Sequence, residues 1–124
     1  MLTVNQWVEE LTKAQSRALP EAEKVLSKGA LNIKQGAARR ISGLAHAPAY
    51  PRSIGYDLYH LPGSARARIG PDKQARQGAL GNVLEYGTVN NPPHPHLAPE
   101  LDAEGPRFMR ALGQLGADLL AGKK

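Results

Sequence analysis

Four prolines between positions 92 and 99 follow almost directly on Gly81-Asn-Val-Leu-Glu-Tyr-Gly-Thr88, and this succession restricts the chain more than any other stretch. Proline fixes φ at about −65° and pushes the residue before it into extended conformations. A short ordered element between Gly81 and Gly87 must therefore hand over to an arm, residues 91–99, with few conformations left to lose on docking. That is the chemistry of an attachment segment rather than of a catalytic loop. Val83, Leu84 and Tyr86 do not choose between a helical turn and a strand; we read 81–87 as a strand pairing with the hairpin described next.

On the N-terminal side, Thr3-Val-Asn-Gln6 has the spacing of a capping box and should start a helix. Val4, Trp7, Val8, Leu11 and Ala14 or Ala18 put one apolar stripe on it, either core or subunit interface. Pro20 predicts a kink or a restart, after which Ala22, Leu26, Ala30, Ile33, Ala37, Ile41 and Leu44 continue a long amphipathic helix up to Pro48. Gly29 and Gly36, seven apart within it, either allow close packing against another element or are tolerated at the surface. From Arg52 to His60 the period changes to two, with Ile54, Tyr56 and Leu58 on one face. Leu61-Pro-Gly-Ser64 supplies a type II turn, and Ala65, Ala67 and Ile69 then alternate with Arg66 and Arg68, giving a hairpin with a basic outer face. Residues 70–80 read as a mobile loop. Leu101, Phe108, Ala111 or Leu112, Leu115 and Leu119 predict a C-terminal helix, opened or kinked at Gly105-Pro106 and ending at Gly122 before Lys123-Lys124. The fold class expected is α+β, with a long kinked helix on an antiparallel sheet of three to four strands and a C-terminal helix.

At 124 residues the chain is expected to form a single domain, 1–124. With one Phe and one Trp, its core must rest on Leu, Ile, Val and Ala, and so thin an aliphatic core favours help from partner subunits. No run reaches the ~18 apolar residues that would span a bilayer, so no membrane partner is expected, and the opening residues do not read as a secretory leader. The absence of cysteine excludes disulfides and thiolate metal sites. The net charge is +5 but unevenly placed: between 34 and 76, Lys34, Arg39, Arg40, Arg52, Arg66, Arg68, Lys73 and Arg76 stand against Asp57 and Asp72. Such a patch suits DNA phosphates or an acidic protein surface, or simply keeps a face solvated.

Several chemistries are open to these residues. In an extended arm His94 and His96 point the same way and offer a metal two rings, with Glu100 or His60 as further donors; a surface role packing on a neighbour is the simpler reading. Glu85 is a candidate general acid or base, but no second carboxylate lies at a fixed spacing, and an ion pair with an arginine or a cap on backbone amides explains it as well, with Tyr86 anchoring the arm. Neither glycine-rich phosphate-loop spacing is present. DNA contact through Arg39, Arg40, Arg66, Arg68, Lys73 and Arg76 would be electrostatic and sequence-independent. No enzyme activity and no cofactor are expected.

Leu84-Glu-Tyr-Gly-Thr88, followed by Pro93-His-Pro-His-Leu-Ala-Pro-Glu-Leu101, resembles the head-tail joining and minor tail-component family of long-tailed bacteriophages. Gly29 to Lys34 through Arg39-Arg40-Ile41 resembles that family's long helix, and Pro51-Arg-Ser-Ile54 its strand start. Two positions depart from its pattern: His96 stands where the family usually has Phe, and Glu100 where it usually has Ala. The resemblance implies a virion structural protein, assembled in the host bacterial cytoplasm into a homo-oligomeric ring at the neck, between connector and tail-tube proteins, with genomic double-stranded DNA passing through the lumen. It assigns Glu85, Tyr86, Gly87, Thr88, Pro95, Leu97, Pro99 and Leu101 to an assembly segment, to which Pro93 and His96 belong by position. Within the same class stands a tail terminator that caps the tube. Outside it stand a basic DNA-binding module and a small hydrolase or metal protein built on His94, His96 and Glu85.

Overall fold

The computed structural model describes residues 3–123, the side chains of Trp7 and Glu10 excepted; the expectations for Trp7 in the first stripe and Lys124 in the basic tail fall outside it. The order of elements is helix α1 (Val4–Arg40), strands β1 (Ile54–Leu61) and β2 (Ser64–Pro71), helix α2 (Gly81–Tyr86) and helix α3 (Leu97–Leu120), with 3-10 turns at Tyr50–Ser53 and Gly78–Leu80. The fold is α+β.

The capping box forms as its spacing requires: Thr3 Oγ1 accepts from the Gln6 amide at 3.2 Å, and the Thr3 amide donates to Gln6 Oε1 at 2.8 Å. α1 then runs unbroken for 37 residues across Pro20, so no restart occurs there. Proline inside a helix forfeits one hydrogen bond and costs roughly 3 kcal/mol, which the flanking turns absorb. The helix stops at Arg40, with the Ile41 amide returning to the Ala37 carbonyl at 3.1 Å and Gly43 at φ +88° turning the chain. It ends earlier than Pro48 because Ile41 and Leu44, which prolong the apolar pattern, and Ala47 and Tyr50 beyond them reach the core from turns rather than from a continued helix.

Pro62 and Gly63, at φ +71°, close the predicted two-residue hairpin, with Leu61 opposite Ser64 and Ile54 opposite Pro71. Among the described residues the sheet has two strands; Gly81–Tyr86 is helical and adds no third. Ile54 is buried and Tyr56, Leu58, Ala65, Ala67 and Ile69 are half-buried toward α1, while Arg66 and Arg68 face outward as expected. The Tyr56 hydroxyl lies 3.5 Å from Ser27 Oγ, and His60 Nδ1 lies 3.0 Å from Glu23 Oε1, pinning β1 along α1. Residues 72–80, expected as a mobile loop, are tied down: the Asp72 amide donates to Ser53 O, and the Gln77 side chain holds both Ala49 N and His46 O.

α3 packs antiparallel on α1, and the α1 glycines mark the seam. Gly29 faces Phe108 and Glu104, and Gly36 faces Glu100 so closely that a Cβ there would meet its carboxylate. Glu100 and Glu104 are both buried in this seam. Arg40 Nε reaches Glu100 at 2.7 Å and Asn32 Nδ2 donates to Glu104 Oε1 at 3.0 Å. Arg107 Nη2 stands 3.0 Å from Glu104 Oε2, yet that oxygen lacks an aligned hydrogen bond. α3 begins at Leu97, inside the predicted arm, and passes through Gly105-Pro106 rather than starting there. No helix among the described residues is long and apolar enough to cross a membrane.

Two glycines should respond oppositely to alanine. Gly113 lies inside α3 with open space around it, so Gly113→Ala raises stability by up to about 1 kcal/mol. Gly36→Ala displaces the Glu100 carboxylate from Arg40 and lowers stability despite the better helix propensity. Urea denaturation of both variants reads the sign.

Candidate functional site

Gly81 and Glu85 lie one turn apart on α2, and both are buried, whereas Val83 and Tyr86 on its other side are exposed. Gly81 is required by closeness: a Cβ there would stand 2.5 Å from Pro71 Cγ and 3.2 Å from the Tyr50 hydroxyl. Gly87 ends the helix at φ +74°, its amide returning to Val83 O at 2.8 Å, and a Cβ on it would lie 2.7 Å from the Pro93 nitrogen. From Gly87 the chain makes a short bridge between Thr88 and Asn91, and the His94 amide donates to Leu84 O at 2.6 Å. The arm thus folds back along α2 before α3 begins.

The Glu85 carboxylate, buried at the end of this turn, receives the backbone amides at the start of α3. His96 N lies 3.3 Å from both oxygens, Leu97 N 2.9 Å from Oε1 and Ala98 N 3.4 Å from Oε2. A helix leaves four amides without intrahelical partners at its start. Here three go to Glu85, and the fourth position is Pro99, which has no N–H. His96, the N-cap residue, supplies no side-chain cap of its own. A carboxylate is also the favoured charge at the positive end of a helix dipole.

The His96 ring is fully buried and links this cap to the turn after α1. Its Nδ1 lies 2.9 Å from the His94 carbonyl, which can only accept, and 3.2 Å from Glu85 Oε1; Nδ1 therefore carries the proton. In the neutral ring Nε2 then accepts from the Tyr50 hydroxyl, 2.8 Å away, and the two rings meet edge to face with centroids 5.3 Å apart. Burial, with the Glu85 charge adding to it, pushes the Tyr50 phenol up to about 12. The network Tyr50–His96–Glu85 is closed to solvent, and what it does is fix one geometry: α2, the arm and the start of α3 against the core.

This corrects several expectations. His94 and His96 do not point the same way: His94 is exposed and His96 is buried, because the arm turns into α3 at His96. His60 sits with Glu23 and Glu100 with Arg40, so neither joins the two histidines, and among the described residues no group of three or more potential ligands could hold a metal. Glu85 takes the amide-capping role and makes no ion pair with an arginine. Tyr86 is 77 % exposed and does not anchor the arm within the chain; Val89 is fully exposed. Thr88, Pro93, Pro95 and Leu101 are exposed, whereas Leu97 and Pro99 are half-buried. Of the cations singled out, Arg39, Arg40, Arg66, Arg68, Lys73 and Arg76 all lie at the surface, with Arg40 engaged by Glu100. Tyr50 was missed by sequence reading. Its signal was weak, a lone aromatic between two prolines, but the lack of any Ser, Thr, Asp or Asn at position 96 did point to a remote cap for α3. Compared with family models, curated proteins and solved structures, the chain matches none of them.

Replacing Glu85 with Ala leaves three helix-start amides without their acceptor, one of them, on His96, fully buried, so stability falls by roughly 1–2 kcal/mol, while Glu85→Gln, which keeps an acceptor, loses less. Hydrogen exchange at His96, Leu97 and Ala98 should quicken in the same order. For Tyr50, the folded pKa lies above its ordinary 10.0, so the stabilisation is complete below about pH 10 and is lost as pH rises toward about 12. Ultraviolet titration should show a late phenolate step near that upper value, and Tyr50→Phe should abolish it.

Proposed function

We propose that this chain is a structural subunit of a phage neck, forming a homo-oligomeric ring that joins the head connector to the tail and lets the genome through its lumen. The observation that carries this reading is how the segment 81–101 divides its residues. Glu85, Gly87 and His96 face inward and hold the segment's own shape. Tyr86, Thr88, Val89, Pro92, Pro93 and Pro95 face outward from that frame, where a neighbouring subunit can reach them. Tyr86, Thr88, Pro93 and Pro95 are among the residues that carry the resemblance to neck and minor tail components. A stiff exposed arm loses little conformational entropy on docking, which is what a ring contact needs.

Support also comes from the surface charge. Arg66 and Arg68 stand side by side on the outward face of β2, and Arg39, Lys73 and Arg76 are exposed. Such cations favour electrostatic contact with duplex DNA without reading its sequence. A tail terminator would use the same ring geometry. A free-standing basic DNA-binding module would keep the charge but leave the arm and Tyr86 unexplained.

Native mass spectrometry of the full chain should give one closed stoichiometry, and imaging of assembled particles should place it at the neck. Tyr86→Ala should change monomer stability by no more than about 0.5 kcal/mol, while Pro93→Gly with Pro95→Gly costs it about 1–2 kcal/mol through the unfolded state. Both should weaken assembly more than folding. A monomer whose DNA affinity falls steeply with salt would favour the basic module instead.

A further inference from the structure

The outward face of the hairpin carries more than charge. Tyr59 lies directly opposite Arg66 in the register and Asp57 opposite Arg68, so the tyrosine ring and both guanidiniums share the face turned away from α1. Tyr59 is 41 % exposed. Among the described residues, the side chains of Tyr59, Arg66, Arg68 and Lys73 make no hydrogen bond or ion pair, so their polar groups are not committed to the fold. Beside them Gly55 lies opposite Gly70. A Cβ on either would meet nothing within 4 Å, neither has a positive φ, and the register runs through the pair without a bulge. Nothing within the chain therefore requires glycine at these positions, although glycine inside a strand weakens it; such a position marks a place where something else approaches the backbone. Over this bare floor opens a cleft of about 760 Å³, walled by Tyr59, Arg68, Asp72, Lys73 and Gln74.

We propose that this cleft binds a single strand of nucleic acid, with one base stacked on Tyr59 over the Gly55–Gly70 floor and the phosphates held by Arg66, Arg68 and Lys73. Residues two apart along a strand stand roughly 6.5–7 Å from each other, close to the step between successive phosphates of an extended nucleic-acid strand, so Arg66 and Arg68 can each take one. Every base has a face that stacks, and an exposed aromatic ring beside cations holds a strand without choosing its sequence. Asp57 and Asp72 also border the cleft, but Arg66, Arg68 and Lys73 outnumber them, and Asp72 Oδ1 already takes the Gln74 amide at 2.9 Å. A duplex suits the site less well. It keeps its bases paired inside and offers phosphates outside, which would leave both the ring and the bare floor unused. A free nucleotide would cover the floor but not span the two arginines. This inference goes beyond the ring reading and does not depend on it, since a duplex passing through a lumen needs the charge alone.

Fluorescence anisotropy of the full chain with a labelled oligothymidylate, which does not pair with itself, tests the site. Binding should weaken with salt, with log K falling against log[salt] at a slope of about −2 for three phosphate contacts. Thymidine monophosphate and a duplex of the same length should each need at least about tenfold more material to displace the strand. Tyr59→Ala should weaken binding about tenfold and leave the salt slope unchanged, with Tyr59→Phe restoring it. Arg66→Ala with Arg68→Ala should instead make the slope shallower by about 1.4. Gly55→Val adds a strand-favouring side chain in open space, so its melting temperature should be kept or raised while binding is lost. Wild-type affinity in Tyr59→Ala or in folded Gly55→Val overturns the proposal. A duplex or a mononucleotide bound as tightly as the strand overturns it as well, the duplex result leaving only the electrostatic contact of the ring reading. Binding to none of the three probes overturns it too, while the ring reading still stands or falls on the stoichiometry seen by native mass spectrometry.

Discussion

The carboxylate of Glu85 is the group on which this structure turns. A buried charge is tolerated only when it is fully hydrogen-bonded, and here the donors come from the start of a helix that has no other cap. The requirement is mutual: α3 needs an acceptor for its first amides, and Glu85 needs donors once it leaves water. Because Glu85 sits on α2 and the amides on α3, satisfying either one sets the path of the proline arm between them. His96 then extends the constraint to Tyr50, and through Tyr50 to Ile41, Ala47 and Ile54 in the core.

The second constraint is the seam between α1 and α3, and it is more polar than most helix contacts. Glu100 and Glu104 lie buried against Gly36 and Gly29, with Arg40, Asn32 and Arg107 bringing their polar atoms within reach. Such pairs add little net stability, since desolvation offsets most of the attraction. What they exclude is sliding: moving α3 by one turn would leave a carboxylate without its partner and against a residue larger than glycine. The register of the two helices follows from the acids rather than from an apolar ridge.

Much of the framework was legible in the sequence. The capping box at Thr3, the Pro62-Gly63 turn and the alternation in β2 are each set by residues a few positions apart, and they formed as read. The end of α1 and the state of 81–87 were not legible, for different reasons. Ile41 continues a helical pattern although it belongs to a turn, and α2 buries a glycine and a glutamate while exposing Val83 and Tyr86. Hydrophobic periodicity reports helix type only when the apolar side is the buried side. The site suffered most from this, because the partners of Glu85 and His96 lie 11 to 46 residues away and leave no local spacing to recognise.

That inversion also bears on what the segment is for. Were the arm only a connection between two helices, its outward positions would be expected to be polar, as loops usually are. Its outward positions are mixed: Asn82, Thr88, Asn90, Asn91 and His94 are polar, while Val83, Tyr86 and Val89 are apolar and stand on a frame they do not help to build; Glu85 and His96 turn inward, onto backbone and Tyr50. The stripe at the far end of α1 is the same kind of surface, apolar and uncovered within the chain. Neither surface is buried by this chain's own folding, so neither adds to its stability; under the ring proposal both are left for contact between chains. A frame rigid in advance loses less on any docking than a flexible strap would, and here a buried charge sets the arm's shape from within the chain.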